Sequence, residues 1–198
     1  KTGYTFNGWN TAENGTGTNY AAGASYTPTT TTTLYAQWTA IKYEVKFNGN
    51  SLTSGSMSNQ TFTYDVSQAL TANAFKRAYD VTLNTNGGTC STSSLTANYT
   101  FAGWATSASG EVVYADKASV KNLRNTAGTY NLYAKWTSTS VTLPTPTKTG
   151  YTFNGWNTAE NGTGTSYAAG ENYTPVAAIT LYAQWTINKY SVSIVASN

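Results

Sequence analysis

Few side chains in these 198 residues are of types that do chemistry, and they are scattered. Histidine is absent, which removes the commonest general base, the Ser-His-Asp arrangement and the commonest zinc ligand together. The eight carboxylates are Glu13, Glu44, Asp65, Asp80, Glu111, Asp116, Glu160 and Glu171. Glycoside hydrolysis needs two carboxylates converging on one bond, and a calcium loop needs several acids within about a dozen residues. No such run of acids occurs, and only Glu13 and Glu160 recur at one repeat position. The single cysteine, Cys90, excludes an intrachain disulfide framework and a cysteine metal cluster. It follows Asn86-Gly87-Gly88-Thr89 in a polar turn, whereas a reactive thiol needs a cation or helix start beside it. The expectation is no catalytic, cofactor-binding or metal-binding residue and no cofactor.

Two groups of residues have types suited to binding. Lys117, Lys121 and Arg124, at helical spacing, would make a basic stripe able to touch acidic polymers or glycans, or simply a solvated helix face opposite Val120 and Leu123. Aromatic residues make up 14% of the chain and include 16 tyrosines, and such rings stack on sugars. All six tryptophans, however, occupy fixed repeat positions, as core residues would. The tyrosines alternating off the apolar face, Tyr35, Tyr133 and Tyr182, are the aromatic candidates for ligand or partner contact.

What positions these residues is a repeat. YTFNGW occurs at Tyr4–Trp9 and Tyr151–Trp156, and YTFAGW at Tyr99–Trp104. Each is answered downstream by a second signature, at Leu34–Trp38, Leu132–Trp136 and Leu181–Trp185. Lys1 to Thr39 matches Lys148 to Thr186 at an offset of 147, with seven differences in 39 positions. A fixed order at a fixed spacing marks a repeat architecture. Three strand openers share another pattern: Tyr43-Glu-Val-Lys-Phe-Asn48, Tyr79-Asp-Val-Thr-Leu-Asn84 and Tyr190-Ser-Val-Ser-Ile194. The larger repeat is therefore about 147 residues, beginning here in mid-repeat and stopping just into the next.

Alternation predicts strands throughout. In Tyr4–Trp9 the alternation breaks before the tryptophan, and a bulge at Gly8, and likewise at Gly103 and Gly155, would return the indole to the face of Phe6. Leu34, Ala36 and Trp38, with their counterparts, should be core. Asp65 is placed to cap a helical turn from Val66 to Leu70, and Asp116 a helix to Arg124. The expected fold is mainly β, α+β at most, with one or two short helices. Expected domains are 1–40, the latter part of a repeat; 41–137, with strand starts in 41–78 and 79–137; 138–187; and 188–198, the first strand of a following repeat.

The pattern resembles the internalin-type B-repeat, or Listeria–Bacteroides repeat, of bacterial surface proteins. The residues that carry it are Gly150 to Trp156, Leu181 to Trp185, the lead-in from Val141 and the opener Val81 to Gly88. The resemblance implies tandem small β-grasp-like modules on a bacterial surface or in a secreted protein, with no catalytic site. It departs from the family at Tyr43 to Ala78, an opener without its own GW signature. Proteins of this type can carry Lys–Asn or Thr–Gln cross-links, but no motif for either is recognisable here.

Composition agrees: Thr, Ser, Asn, Gly and aromatics dominate, only 10% of residues are charged, and the net charge is +3. The excess lies in 41–137, with eight Lys/Arg against five Asp/Glu, which makes no case for a nucleic-acid partner. No apolar run has membrane-spanning length. An extracellular protein without disulfides fits a Gram-positive cell wall. Three functions follow: a stalk or adhesion region, a carbohydrate- or mucin-binding module, or an accessory region of a larger secreted enzyme. Expected partners are neighbouring repeats, with host or wall glycans or surface proteins beyond them.

Overall fold

The computed structural model describes residues 1–195, and among them there is no helix. The strands of the first half are β1 (Tyr4–Asn10), β2 (Asn19–Tyr20), β3 (Tyr35–Ala40), β4 (Lys42–Asn48), β5 (Gln60–Thr63) and β6 (Gln68–Ala69). There follow β7 (Ala78–Asn84), β8 (Ser94–Asn98), β9 (Thr100–Ala105), β10 (Ser119–Val120) and β11 (Thr129–Thr137). The last are β12 (Val141–Thr142), β13 (Tyr151–Asn157), β14 (Ser166–Tyr167), β15 (Asn172–Tyr173) and β16 (Ile179–Ile187). They divide between two compact units.

The first unit holds Lys1–Asn50, Ser56–Phe75 and Ala102–Lys135. A three-stranded sheet, β2-β1-β3, carries the first repeat copy. A four-stranded sheet, β5-β4-β11-β9, follows it, with β4 parallel to β11 and Phe47 opposite Leu132. Alternation along β4 buries Tyr43, Val45 and Phe47 and leaves Lys42, Glu44 and Lys46 in water. Phe62, Leu70, Trp104, Val120 and Leu132 complete that core.

The second unit holds Ser51–Gly55, Lys76–Phe101 and the chain from Trp136 onward. Its main sheet runs β14-β13-β16-β7-β8, with a ribbon of β12 and β15 beside it. Here β7 lies parallel to β16, Val81 opposite Ile179 and Leu83 opposite Leu181. Val81, Leu83, Leu143, Trp156, Leu181 and Ala183 form its core. The opener at Tyr79 is thus paired in the sheet of the third copy, while the middle copy is closed by the earlier opener at Tyr43.

Both expected helices are strands instead. β6 and β10 pair antiparallel, Ser119 opposite Ala69 and Val120 opposite Gln68. Asp65, Lys117 and Asn122 have φ of 63°, 58° and 57°, a left-handed backbone that interrupts any right-handed helix through these stretches. Nor does Asp116 cap anything helical: its carboxylate accepts from the Asn73 amide at 2.8 Å. Val120 reaches the core by strand alternation, not by a helical stripe.

Candidate functional site

The GW strand is shaped by its glycine. Register slips between Phe6 and Gly8, and again between Phe153 and Gly155, with φ of 113° and 126° at the two glycines. Gly103 has φ of 138°. The bulge brings Trp9 onto the face of Phe6, the rings 5.3 Å apart, and Trp156 onto that of Phe153 at 5.6 Å. A Cβ on Gly155 would lie 2.8 Å from the Tyr167 carbonyl oxygen, so close strand approach and positive φ both demand glycine there.

Sequence reasoning missed the residue after the tryptophan. Asn157 is fully buried and closes the loop that follows. Its Nδ2 donates to the carbonyls of Gly162 and Gly164 and to Ser166 Oγ, at 3.2, 3.1 and 2.9 Å. Its Oδ1 accepts from the amides of Ala159 and Gly164 at 2.8 and 3.0 Å. Asn10 repeats this in the first copy. Gln184 then clips the same loop by donating to the Glu160 carbonyl at 3.2 Å. In the middle copy Lys135 does so toward Ala108, which accounts for the Gln-to-Lys change in its signature. The signal was present as WNTAENGTG, identical in two copies, but letters alone do not show a buried amide.

The three tryptophan faces differ. Trp104 and Trp156 are 0% exposed, whereas Trp9 is 41% exposed. Leu132 and Leu181 are buried and Leu34 only half so. In the third copy the Trp156 indole donates to the Pro144 carbonyl at 2.8 Å and the Trp185 indole to the Thr85 carbonyl at 2.9 Å. Opener and lead-in thus supply both the apolar cover and the acceptors. The first copy has the same face with Trp38 still 37% exposed.

Within the first unit, the first copy joins the module after it through a polar latch. Tyr4 donates its hydroxyl proton to Asp65 Oδ2 at 3.0 Å, and Tyr64 packs edge-on to Tyr4. Asp65 also accepts from Asn122 Nδ2 at 2.8 Å, and Lys121 stands 3.4 Å away. These interactions hold the Asp65 carboxyl below its usual pKa, the bond from Asn122 contributing most and that from Tyr4 next. The same carboxylate raises the Tyr4 hydroxyl pKa, chiefly by accepting its hydrogen bond. Gly3 has no room for a side chain against the Tyr64 ring, while the equivalent Gly150 has nothing within 4 Å.

In the second unit a cleft of about 560 Å³ opens beside Gly150, lined among others by Thr147, Lys148, Tyr151, Phe153 and Trp185. Lys148 donates to the Asn86 carbonyl at 2.8 Å and lies over the Tyr151 ring.

The residues proposed from sequence do not gather at one place. Tyr35 lies exposed at the start of β3, and Tyr133 and Tyr182 are half-buried on β11 and β16. With no helix beneath them the three basic residues form no stripe. Lys117 sits exposed in a turn, Lys121 faces Asp65, and Arg124 holds the following turn through the carbonyls of Thr126, Ala127 and Thr129. Cys90 packs against the core of the second unit. Among the described residues no group of three or more His, Cys, Asp or Glu could hold a metal, and no helix is long and apolar enough to cross a membrane.

Repeated β-modules, two of them closed by an opener from elsewhere in the chain, define a tandem-repeat region rather than a single globular unit. The chain belongs to the Listeria–Bacteroides repeat domain family, whose model matches residues 1–37, 92–135 and 136–184. It is 30% identical over 202 residues, 98% of this chain, to an Evansella cellulosilytica protein named as a Gly-rich membrane protein. It is 50% identical over 48 residues, 24% of this chain, to Internalin H of Listeria monocytogenes. The chain spans 15% and 9% of the lengths of these two relatives. No solved structure matches it.

Proposed function

We propose that this chain is a non-catalytic repeat region of a bacterial surface or secreted protein, serving as a stalk or adhesion segment outside the cell. The observation that carries this is the latch at Tyr4 and Asp65, which fixes one module on the next through side chains that belong to neither core. Linked, mutually supporting modules are what a spacer needs. The family and the names of its relatives support placement at the cell envelope of a Gram-positive organism. Each closed module reads as β-grasp-like, since a hairpin opener lies parallel to the last strand; the β6–β10 ribbon lies in the first-unit module where sequence suggested helix. The natural partners are neighbouring repeats: the open surface at Gly150 and Tyr151 matches the one that Gly3 and Tyr4 use to seat Tyr64 and Asp65.

Antibodies raised against this chain should label intact cells; labelling only after lysis would overturn the placement. A specific observation favours a second reading, carbohydrate or mucin binding: the cleft at Lys148 combines aromatic rings with threonine hydroxyls. Glycan-array binding abolished by Trp185→Ala with the fold retained would support it. The third reading, an accessory region of a larger secreted enzyme, is compatible with the small share of its relatives that the chain spans. Hydrolysis by the purified chain, lost on changing one carboxylate, would refute a non-catalytic role.

A further inference from the structure

We infer that the two closed modules bear load along the chain, each through a seam of parallel strands that tension shears as a unit. The first closed module begins at β4 and ends at β11, and the second begins at β7 and ends at β16. In each, the strand that begins the module and the strand that ends it are parallel neighbours. Tension draws the start of one and the end of the other in opposite directions along the strand axis. Parallel neighbours loaded in this way slide past each other, so every bond between them is strained at once. Antiparallel neighbours entered and left at the same end are instead peeled one pair at a time. β13 and β16 are such a pair, with Tyr151 opposite Ile187. β13 lies between β7 and β16 in the chain, however, and is shielded from tension while their seam holds.

The two seams are built alike. Five residue pairs join β4 to β11, from Glu44 with Thr129 to Asn48 with Tyr133. Four join β7 to β16, from Val81 with Ile179 to Asn84 with Tyr182. Both seams lie inside their sheets, one flanked by β5 and β9 and the other by β8 and β13. Phe47 and Leu132 are buried at the first, Leu83 and Leu181 at the second. A slip of one residue would therefore turn apolar side chains out of the core. Beyond the last pair a side chain adds one more rung. Asn50 Nδ2 donates to the Ala134 carbonyl at 3.0 Å, and Asn86 Nδ2 to the Ala183 carbonyl, also at 3.0 Å. Ala134 and Ala183 hold the same place in the second signature. Both asparagines have φ of 47°, a left-handed backbone that asparagine tolerates better than most residues. One rung at one place in both modules belongs to the seam. Asn50 Nδ2 also reaches the Ala108 carbonyl at 3.0 Å. The inference deepens the stalk reading and rests on it for its use at the cell; force on the purified chain is measured without cells, so its failure is distinct from a failure of surface labelling.

Single-molecule pulling on the whole 198-residue chain tests this, with handles on paired cysteines in a Cys90→Ala background. Lys42→Cys with Thr137→Cys loads the first seam in shear. Lys42→Cys with Thr129→Cys peels the same two strands apart from one end. All three positions are exposed, so both chains should fold. The expected peak force for the shear pair is roughly twofold or more above that for the peeling pair, because the bonds yield together and not in turn. Asn50→Gly removes the extra rung and leaves a backbone able to hold φ of 47°. It should lower the shear force and leave the peeling force unchanged. Equal forces in the two geometries would overturn the proposal. So would an equal loss in both on Asn50→Gly, which would mark a side chain that stabilises the fold without belonging to the seam.

Discussion

A buried amide side chain has to satisfy both its ends, and Asn157 does so by drawing together a loop that has little apolar content of its own. Five hydrogen bonds meet at it, two of them from backbone amides. Removing it leaves those partners inside without replacements. Asn157→Ala should therefore cost about 2–4 kcal/mol in denaturant unfolding, more than its small apolar area suggests. Asn157→Asp keeps the acceptor but sets a buried carboxylate oxygen against the Gly162 and Gly164 carbonyls, and should cost at least as much as the alanine. Gly155→Ala meets two obstacles at one atom, the Tyr167 carbonyl and a φ of 126°, and roughly 2 kcal/mol or more is expected. The glycine was legible because strand alternation fails beside it. The asparagine was not, because its role exists only once the loop has closed.

At the scale of the element, one segment in two settings separates what a strand owes to its sequence from what it owes to its neighbours. Trp156 is enclosed, and Trp156→Ala should destabilise the second unit by about 3–5 kcal/mol. Trp9→Ala removes the same side chain from a face without its opener, and a loss under about 2 kcal/mol is expected from parallel thermal melts. Equal losses would mean the two faces are equally covered. The latch makes a second element-scale prediction. Asp65 has a lowered pKa in the folded state, so its contribution is present above the ordinary carboxylate value near 4 and is lost as pH falls through the folded pKa. Tyr4 has a raised one, so its contribution is present below about pH 10 and is lost as pH rises through the folded value. The stability gap between wild type and Asp65→Asn should thus be widest near neutrality and close on the acid side, while that to Tyr4→Phe closes on the alkaline side. Lys121 stands 3.4 Å from Asp65, and Lys1 lies over the Tyr4 ring. The helices expected near these residues failed because Val120 and Leu123, three apart, fit a helical stripe on paper, while Asn122 in the left-handed region puts its amide on Asp65 instead.

For the molecule as a whole, the order of pieces in the chain is not the order in which they pair. Repeat signatures, strand alternation and the glycine bulges were all legible, since each is local. The pairing was not, because two openers of equal quality precede the middle GW signature and nothing local says which belongs to it. The sheets decide: β4 closes on β11, and β7 passes over the middle copy to close on β16. Each unit therefore consists of segments interleaved with those of the other. A fragment of residues 79–137 would contain β7 and β8 without β13 and β16, and β9 and β11 without β4 and β5. Neither half of it could bury its apolar face, and it should show no cooperative thermal transition. The whole chain should show one, and should refold slowly, because both parallel pairings must wait for contacts between distant segments. Restoring the pieces in spatial order, by joining 76–98 directly to 138–187, should yield a fragment that melts cooperatively and refolds faster than the full chain. If instead 79–137 melts as sharply as the whole chain, the openers can be exchanged between copies, and the long-range pairing is not what holds the units together.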